Sequence, residues 1–236
     1  VDSTLLLHAA IEAMGQEKVT VFHGISELVS DREKQSAATI LDELQIEQNK
    51  RQEIELHPLI WSEFVANTQD RCYFCKKRMY QSFLRTIEKL GCQVLFDGSN
   101  VDDLKTGRPG FRAIHELGVQ TPLLDAGLNK VNVRLLAREF NLSNHDKASN
   151  SCLATRLPEG RGIDKEGLTL VEKCEDFLLK RGFIGCRVRP EGKSIVLELT
   201  GKDGERLLTS SVRIDIIPFF QSIGFSRILL DLTSRR

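Results

Sequence analysis

The chain has 236 residues with 41% hydrophobic content, enough to bury a core and suited to one mid-sized domain with a small appendage, so disorder is excluded as the default state. Thirty-three basic residues balance thirty-three acidic ones, and a neutral chain offers no global field that would select DNA or another polyanion as its partner. No run approaches the roughly 18 apolar residues of a membrane span and the first residues do not read as a secretory leader, so a cytoplasmic protein with no membrane partner is expected.

Val1-Asp2-Ser3-Thr4 runs at once into Leu5, Leu6, Leu7, Ala9, Ala10, Ile11 and Met14 and stops at Gly15, the pattern of a buried helix with a glycine stop. A buried helix this abrupt calls for a preceding strand, and a strand and turn of a longer natural sequence are expected upstream. A short strand follows over 18–22, then a helix over 31–44 opened by the capping pair Ser30 and Glu33, then an alternating strand over 51–56. Cys72 and Cys75 open a helix that runs to about residue 90, a strand over 93–96 breaks into the loop Asp97-Gly98-Ser99-Asn100, and Asn129 caps a helix reaching Phe140. Alternating strand and helix predict an α/β fold: a parallel sheet covered by helices on both faces, with ligands at the carboxyl ends of its strands.

From 143 to 162 the sequence turns polar and glycine-rich without helical or strand period, which in a compact domain marks a functional or mobile loop. Cys152 lies inside it. A helix over 165–181, strands over 185–189 and 194–199, a helix over 212–223 and a strand over 228–232 then describe a small α+β domain. The expected division is therefore 1–160 and 161–236. The smaller part is assigned to substrate binding or subunit contact, in a chain expected to form a homo-oligomer.

Nothing secretory accompanies the six cysteines, so free thiols, metal ligands and catalytic sulfur are the options rather than disulfides. Cys92, Cys174 and Cys186 fall in apolar strand and helix patterns and read as small buried hydrophobes. Cys72 and Cys75, in Arg71-Cys72-Tyr73-Phe74-Cys75-Lys76-Lys77, place two thiols three residues apart on one face of a helix start, where the dipole and basic neighbours favour thiolates. A zinc half-site, a redox pair and a coincidence all remain open for this pair. The sequence offers no second such pair and no paired histidines to complete a zinc tetrad, and three cysteines fit an iron–sulfur cluster with one iron left open better.

Val1-Asp2-Ser3, Arg71-Cys72-Tyr73-Phe74-Cys75-Lys76, the run from Asp97 to Asp103, Arg108-Pro109-Gly110 and Ser151-Cys152-Leu153-Ala154-Thr155-Arg156 occur in one order along the chain. In that order they resemble the LarE family of ATP-dependent sulfur transferases over residues 1 to about 190. The resemblance implies a PP-loop ATP-pyrophosphatase domain and a small-molecule nucleotide substrate: a pyridinium biscarboxylate mononucleotide whose carboxylates become thiocarboxylates on the way to the nickel-pincer nucleotide.

By the same resemblance, Asp2 and Ser3 match the end of the family's SGGxDS loop. Gly98, Ser99, Asn100 and Asp103 match a second nucleotide-facing loop, where small residues let the backbone approach ATP and a carboxylate holds Mg²⁺. Arg108 and Arg112 are candidates for phosphate, although loop arginines are also commonly solvated. Cys152 matches the sulfur-bearing cysteine, and Cys72, Cys75 and Cys152 together match members that hold a [4Fe-4S] cluster. Arg187 and Arg189, alternating onto one strand face, and Arg156 are assigned to the substrate phosphate. Glu175 and Glu198 are assigned to a carboxylate metal site near the sulfur loop.

The implied reaction adenylates a carboxylate, because oxide does not leave at neutral pH, and then replaces AMP with sulfur. The rivals are a PP-loop tRNA thiolase, which would need a broad basic surface, and a non-catalytic nucleotide-binding protein whose cysteine pair is structural.

Overall fold

The computed structural model describes residues 1–105 and 109–235, which form two compact units, Val1–Lys147 and Ala148–Arg236. The units part upstream of the boundary expected near residue 160, because the turn around Cys152 is hydrogen-bonded to the helix and strands that follow it.

In the first unit, α1 (Asp2–Met14) leads through a 3₁₀ turn to β1 (Val21–Ile25), α2 (Asp31–Glu43) and β2 (Arg51–Glu55). Strands β1 and β2 pair in parallel, Val21 opposite Arg51 and Ile25 opposite Glu55. The 3₁₀ turn at Gln16–Lys18 uses up the start of the strand expected over 18–22, which moves β1 to Val21. The expected cap is present, the Ser30 hydroxyl accepting from the Glu33 N–H.

Next come α3 (Ser62–Val65), the long α4 (Arg71–Leu90), α5 (Val101–Lys105), α6 (Pro109–Glu116), α7 (Pro122–Asp125) and α8 (Lys130–Glu139). Gly91 ends α4 in the left-handed conformation, and Asn129 opens α8 with a reciprocal capping box to Asn132.

The strand expected over 93–96 is reduced to one parallel bridge between Phe96 and Gln120. It still separates two apolar layers. Phe96 packs with Leu5, Leu6, Val133 and Ala137 of α1 and α8, whereas its neighbour Leu95 packs with Tyr80, Phe83 and Ile114 of α4 and α6, beside Phe22 and Ile54 of the sheet. Alternate side chains facing opposite helical layers is the arrangement of a sheet covered on both faces. It puts the loop Asp97–Asn100 at the carboxyl end of this segment.

In the second unit a 3₁₀ turn (Leu153–Arg156) precedes α9 (Lys165–Leu179), β3 (Arg187–Glu191), β4 (Ser194–Thr200), α10 (Gly201–Leu207), α11 (Ser210–Ser222) and β5 (Arg227–Arg235). Strands β3 and β4 form an antiparallel hairpin, and β5 joins β4 in parallel. Leu168, Val171, Cys174 and Leu178 form the helical stripe of α9, buried with Ile195, Leu197 and Leu199, every second residue of β4. Among the described residues no helix is long and apolar enough to cross a membrane.

Candidate functional site

The motifs of the first unit converge at the start of α1. A Cβ built on Gly98 would lie 2.9 Å from the Ser3 backbone nitrogen and 3.2 Å from the Asp2 carbonyl carbon, so only glycine lets this loop press against the helix N-terminus. Buried Asn100 donates from its side chain to Asp2 Oδ1 at 2.9 Å, while its own Oδ1 accepts from the Asp102 N–H at 2.9 Å. Asp103 accepts from the Asn100 N–H at 3.1 Å. Lys130 caps the arrangement, its ammonium on Asp2 and its backbone N–H on Asp102 Oδ2 at 2.9 Å. Burial works against ionisation of Asp2, yet the Lys130 ammonium bonded to it holds its carboxyl below the usual carboxylate range.

Asp97 ties this loop to the dithiol helix. Its Oδ1 accepts from the Ser99 N–H at 2.8 Å and from the Ser99 hydroxyl, and its Oδ2 from the Tyr80 hydroxyl with Lys76 Nζ at 3.5 Å. Burial alone would raise the Asp97 pKa, but Lys76 and these donors lower it. Burial, reinforced by the Asp97 charge, pushes the Tyr80 phenol up, so it remains a donor. Lys76 belongs to the turn after Cys75. A Cβ on Gly110 would come within 3.0 Å of the Lys76 side chain and 3.4 Å of the Cys72 carbonyl oxygen, so the start of α6 lies directly against the dithiol turn.

Cys72 and Cys75 are half-buried thiols in the first turns of α4. Tyr73 between them is buried and donates to Glu116 Oε2 at 2.8 Å; Lys77 reaches both, at 2.7 Å and 3.0 Å. Arg112, a candidate for phosphate, is half-exposed, stacks 3.7 Å over the Tyr73 ring and pairs with Asp70 at 3.3 Å. These contacts make it a clamp on the dithiol turn. Arg108 lies outside the described residues.

In the second unit Cys152 is a half-buried thiol that opens the Leu153–Arg156 turn. Arg156, assigned from sequence to a substrate phosphate, is 1% exposed and its donors are taken up inside the protein. Its Nε and Nη2 meet the two oxygens of Glu175 at 2.8 Å and 3.3 Å, and the rest serve residues 150–155. Glu175, assigned to metal, is likewise 1% exposed and bound to this guanidinium. Glu198 pairs with Arg189. Arg187 and Arg189 do share a face of β3, and each reaches a carbonyl of the cysteine segment: Ser149 at 3.2 Å and Thr155 at 2.6 Å.

No protein-family model matches the chain. It is 30% identical over 98% of its length to an uncharacterised protein of Synechocystis, of which it covers 85%. An uncharacterised protein of Methanocaldococcus jannaschii shares 30% identity over 78% of the chain and 71% of that relative. The pyridinium-3,5-bisthiocarboxylic acid mononucleotide synthase of Lactiplantibacillus plantarum is 30% identical over 98% of the chain and 82% of its own length. The chain belongs to the LarE family of sulfur transferases.

The LarE motifs of the first unit thus meet in one place: the Asp2-Ser3 helix start, the loop from Asp97 to Asp103, and the dithiol turn linked to it through Lys76. Sequence reasoning missed Lys130, Lys76 and Tyr80. Lys130 directly follows the Asn129 cap, but nothing local pairs it with Asp2, which is 128 positions away. Lys76 and Asp97 stood inside the quoted motifs and carried the one available signal. The donor chemistry of Cys72 and Cys75 fits a soft metal, whereas among the described residues no three His, Cys, Asp or Glu side chains gather into a metal-holding group. Cys174 and Cys186 are buried, as expected, whereas Cys92 is only half-buried against the Tyr80 and Phe83 cluster, and burial pushes the Cys174 thiol up to about 12.

Proposed function

We propose that this LarE-family chain uses ATP to adenylate a carboxylate of a pyridinium biscarboxylate mononucleotide and then replaces the activated oxygen with sulfur. The observation that carries the reading is the 30% identity, over 98% of the chain, to a synthase named for the bisthiocarboxylic acid product. The close approach of Gly98 to the α1 N-terminus supports it, since backbone N–H groups left uncovered by side chains are suited to a nucleotide phosphate.

In the first step a carboxylate oxygen attacks the α phosphorus, the bond to the β-phosphate oxygen breaks, and pyrophosphate leaves. Ser3 and the α1 N-terminus would bind phosphate oxygens, and Lys130 would carry positive charge to their edge. Mg²⁺, with Asp103 as its assigned carboxylate, would supply further charge neutralisation. In the second step a sulfur nucleophile attacks the acyl carbon and AMP leaves with the original oxygen. A [4Fe-4S] cluster on Cys72, Cys75 and Cys152 would supply an open iron to carry that sulfur as hydrosulfide. Arg187 and Arg189 would exchange their carbonyl partners for the substrate phosphate.

Anaerobic reconstitution with iron and sulfide tests the cysteine assignment. Uptake of both, lost in Cys72→Ala and in Cys152→Ala, is expected. Stoichiometric zinc without iron would overturn it. Mass spectrometry after several turnovers is expected to find Cys152 intact; its conversion to dehydroalanine would instead make Cys152 a consumed sulfur donor.

A further inference from the structure

We propose that Arg156 is the positioning residue of the sulfur-transfer step, a buried guanidinium that fixes the backbone of Cys152 and makes the cysteine turn a rigid part of the second unit. The proposal rests on the proposed function, in which Cys152 takes part in sulfur transfer. A polar, glycine-rich stretch such as 143–162 would ordinarily wander. Here residues 150–156 close around one cation. The two N–H groups of Arg156 Nη1 are shared among four acceptors, the Ser151 carbonyl at 2.8 Å, the Cys152 carbonyl at 3.1 Å, and the hydroxyls of Ser151 at 2.8 Å and Thr155 at 3.0 Å. Its Nη2 reaches Asn150 Oδ1 at 2.8 Å.

The Cys152 carbonyl receives two further donors, the Thr155 hydroxyl at 2.8 Å and the Thr155 N–H at 3.0 Å. Three donors on one carbonyl fix the peptide plane that follows Cys152 and leave the sulfur mainly the rotation about its own Cα–Cβ bond. Glu175 makes this possible, because a buried guanidinium without a counter-charge would be expelled to water. Lysine cannot substitute: it keeps the charge and loses the planar fork that serves carboxylate and carbonyls at once. It follows that Cys152 moves with α9 and β3, and that presenting its thiol for the sulfur-transfer step does not depend on a loop finding its conformation.

The test compares the full-length wild type with Arg156→Lys and with Thr155→Val, which removes only one hydroxyl of the lock. In the metal-free protein, amide hydrogen exchange over 150–156 is expected to accelerate at least roughly 10-fold in Arg156→Lys, with exchange in α4 unchanged. In turnover, kcat for thiocarboxylate formation is expected to fall about 100-fold while the single-turnover burst of pyrophosphate and the KM for ATP stay within about twofold. Thr155→Val is expected to move the same two readouts in the same direction by roughly 3- to 10-fold, and it carries the test if Arg156→Lys does not fold. Wild-type exchange and kcat in both variants would overturn the proposal. So would a loss of the single-turnover pyrophosphate burst in step with kcat, which would make Arg156 a substrate ligand. If the wild type forms no thiocarboxylate, the proposed function falls, and the exchange readout alone decides whether the lock exists.

Discussion

Asp97 holds a negative charge that the surrounding donors favour, and its contribution to stability therefore depends on pH. Because its folded pKa lies below the ordinary 3.8, the stabilisation is fully present above that value and is lost as pH falls below it. Asp97→Asn is expected to lower stability at neutral pH and to flatten the acid limb of the unfolding curve, measured by circular dichroism between pH 2 and 5 (about the range in which carboxylates titrate). Glu175 behaves differently, since its value lies in neutralising Arg156. Glu175→Gln leaves a buried charge unpaired and is expected to cost on the order of 3–5 kcal/mol in urea unfolding, whereas the double replacement Arg156→Met, Glu175→Leu recovers most of that loss. The buried thiols give a third expectation. Iodoacetamide at neutral pH is expected to label Cys72, Cys75 and Cys152 in the folded, metal-free protein and to reach Cys174 and Cys186 only after unfolding; native labelling of Cys174 would contradict its burial.

At the scale of elements, α4 combines a dithiol turn at one end with a glycine stop at the other. Gly91 has φ 69° with open space where a Cβ would stand, so Gly91→Ala is expected to cost about 1 kcal/mol through backbone strain alone, read as a small drop in Tm with unchanged activity. Helices with a side-chain cap were legible in the sequence because their signals are local, as at Ser30 with Glu33 and at Asn129. The segment 93–96 was harder. Its residues alternate as a strand would, but its recorded partner is a single bridge to Gln120, and strand pairing is decided by distant residues. Helix α10 escaped notice because Gly201 and Gly204 weaken the local preference, and it is its position between β4 and β5 that supports it. The candidate site follows the same division. The glycine at 98 and the thiols at 72 and 75 advertise themselves by type and spacing, whereas the roles of Lys130 and Arg156 are set by partners at Asp2 and Glu175 that no local pattern names.

For the molecule as a whole, two units hold the family motifs: the Asp2-Ser3 helix start, the Asp97 loop and the dithiol turn in the first, and the Cys152 turn in the second. In the proposed function adenylation would need the first unit, and delivery of sulfur would need Cys152 as well. Cys152→Ala is accordingly expected to retain substrate-dependent pyrophosphate release while losing thiocarboxylate formation. The most direct test of the account is a mass-spectrometric product assay with the pyridinium biscarboxylate mononucleotide, ATP, Mg²⁺ and sulfide under anaerobic conditions. The account predicts exchange of carboxylate oxygen for sulfur with one AMP and one pyrophosphate released per sulfur inserted. An unchanged nucleotide, accompanied by ATP-dependent thiolation of tRNA or by no consumption of ATP at all, would contradict it.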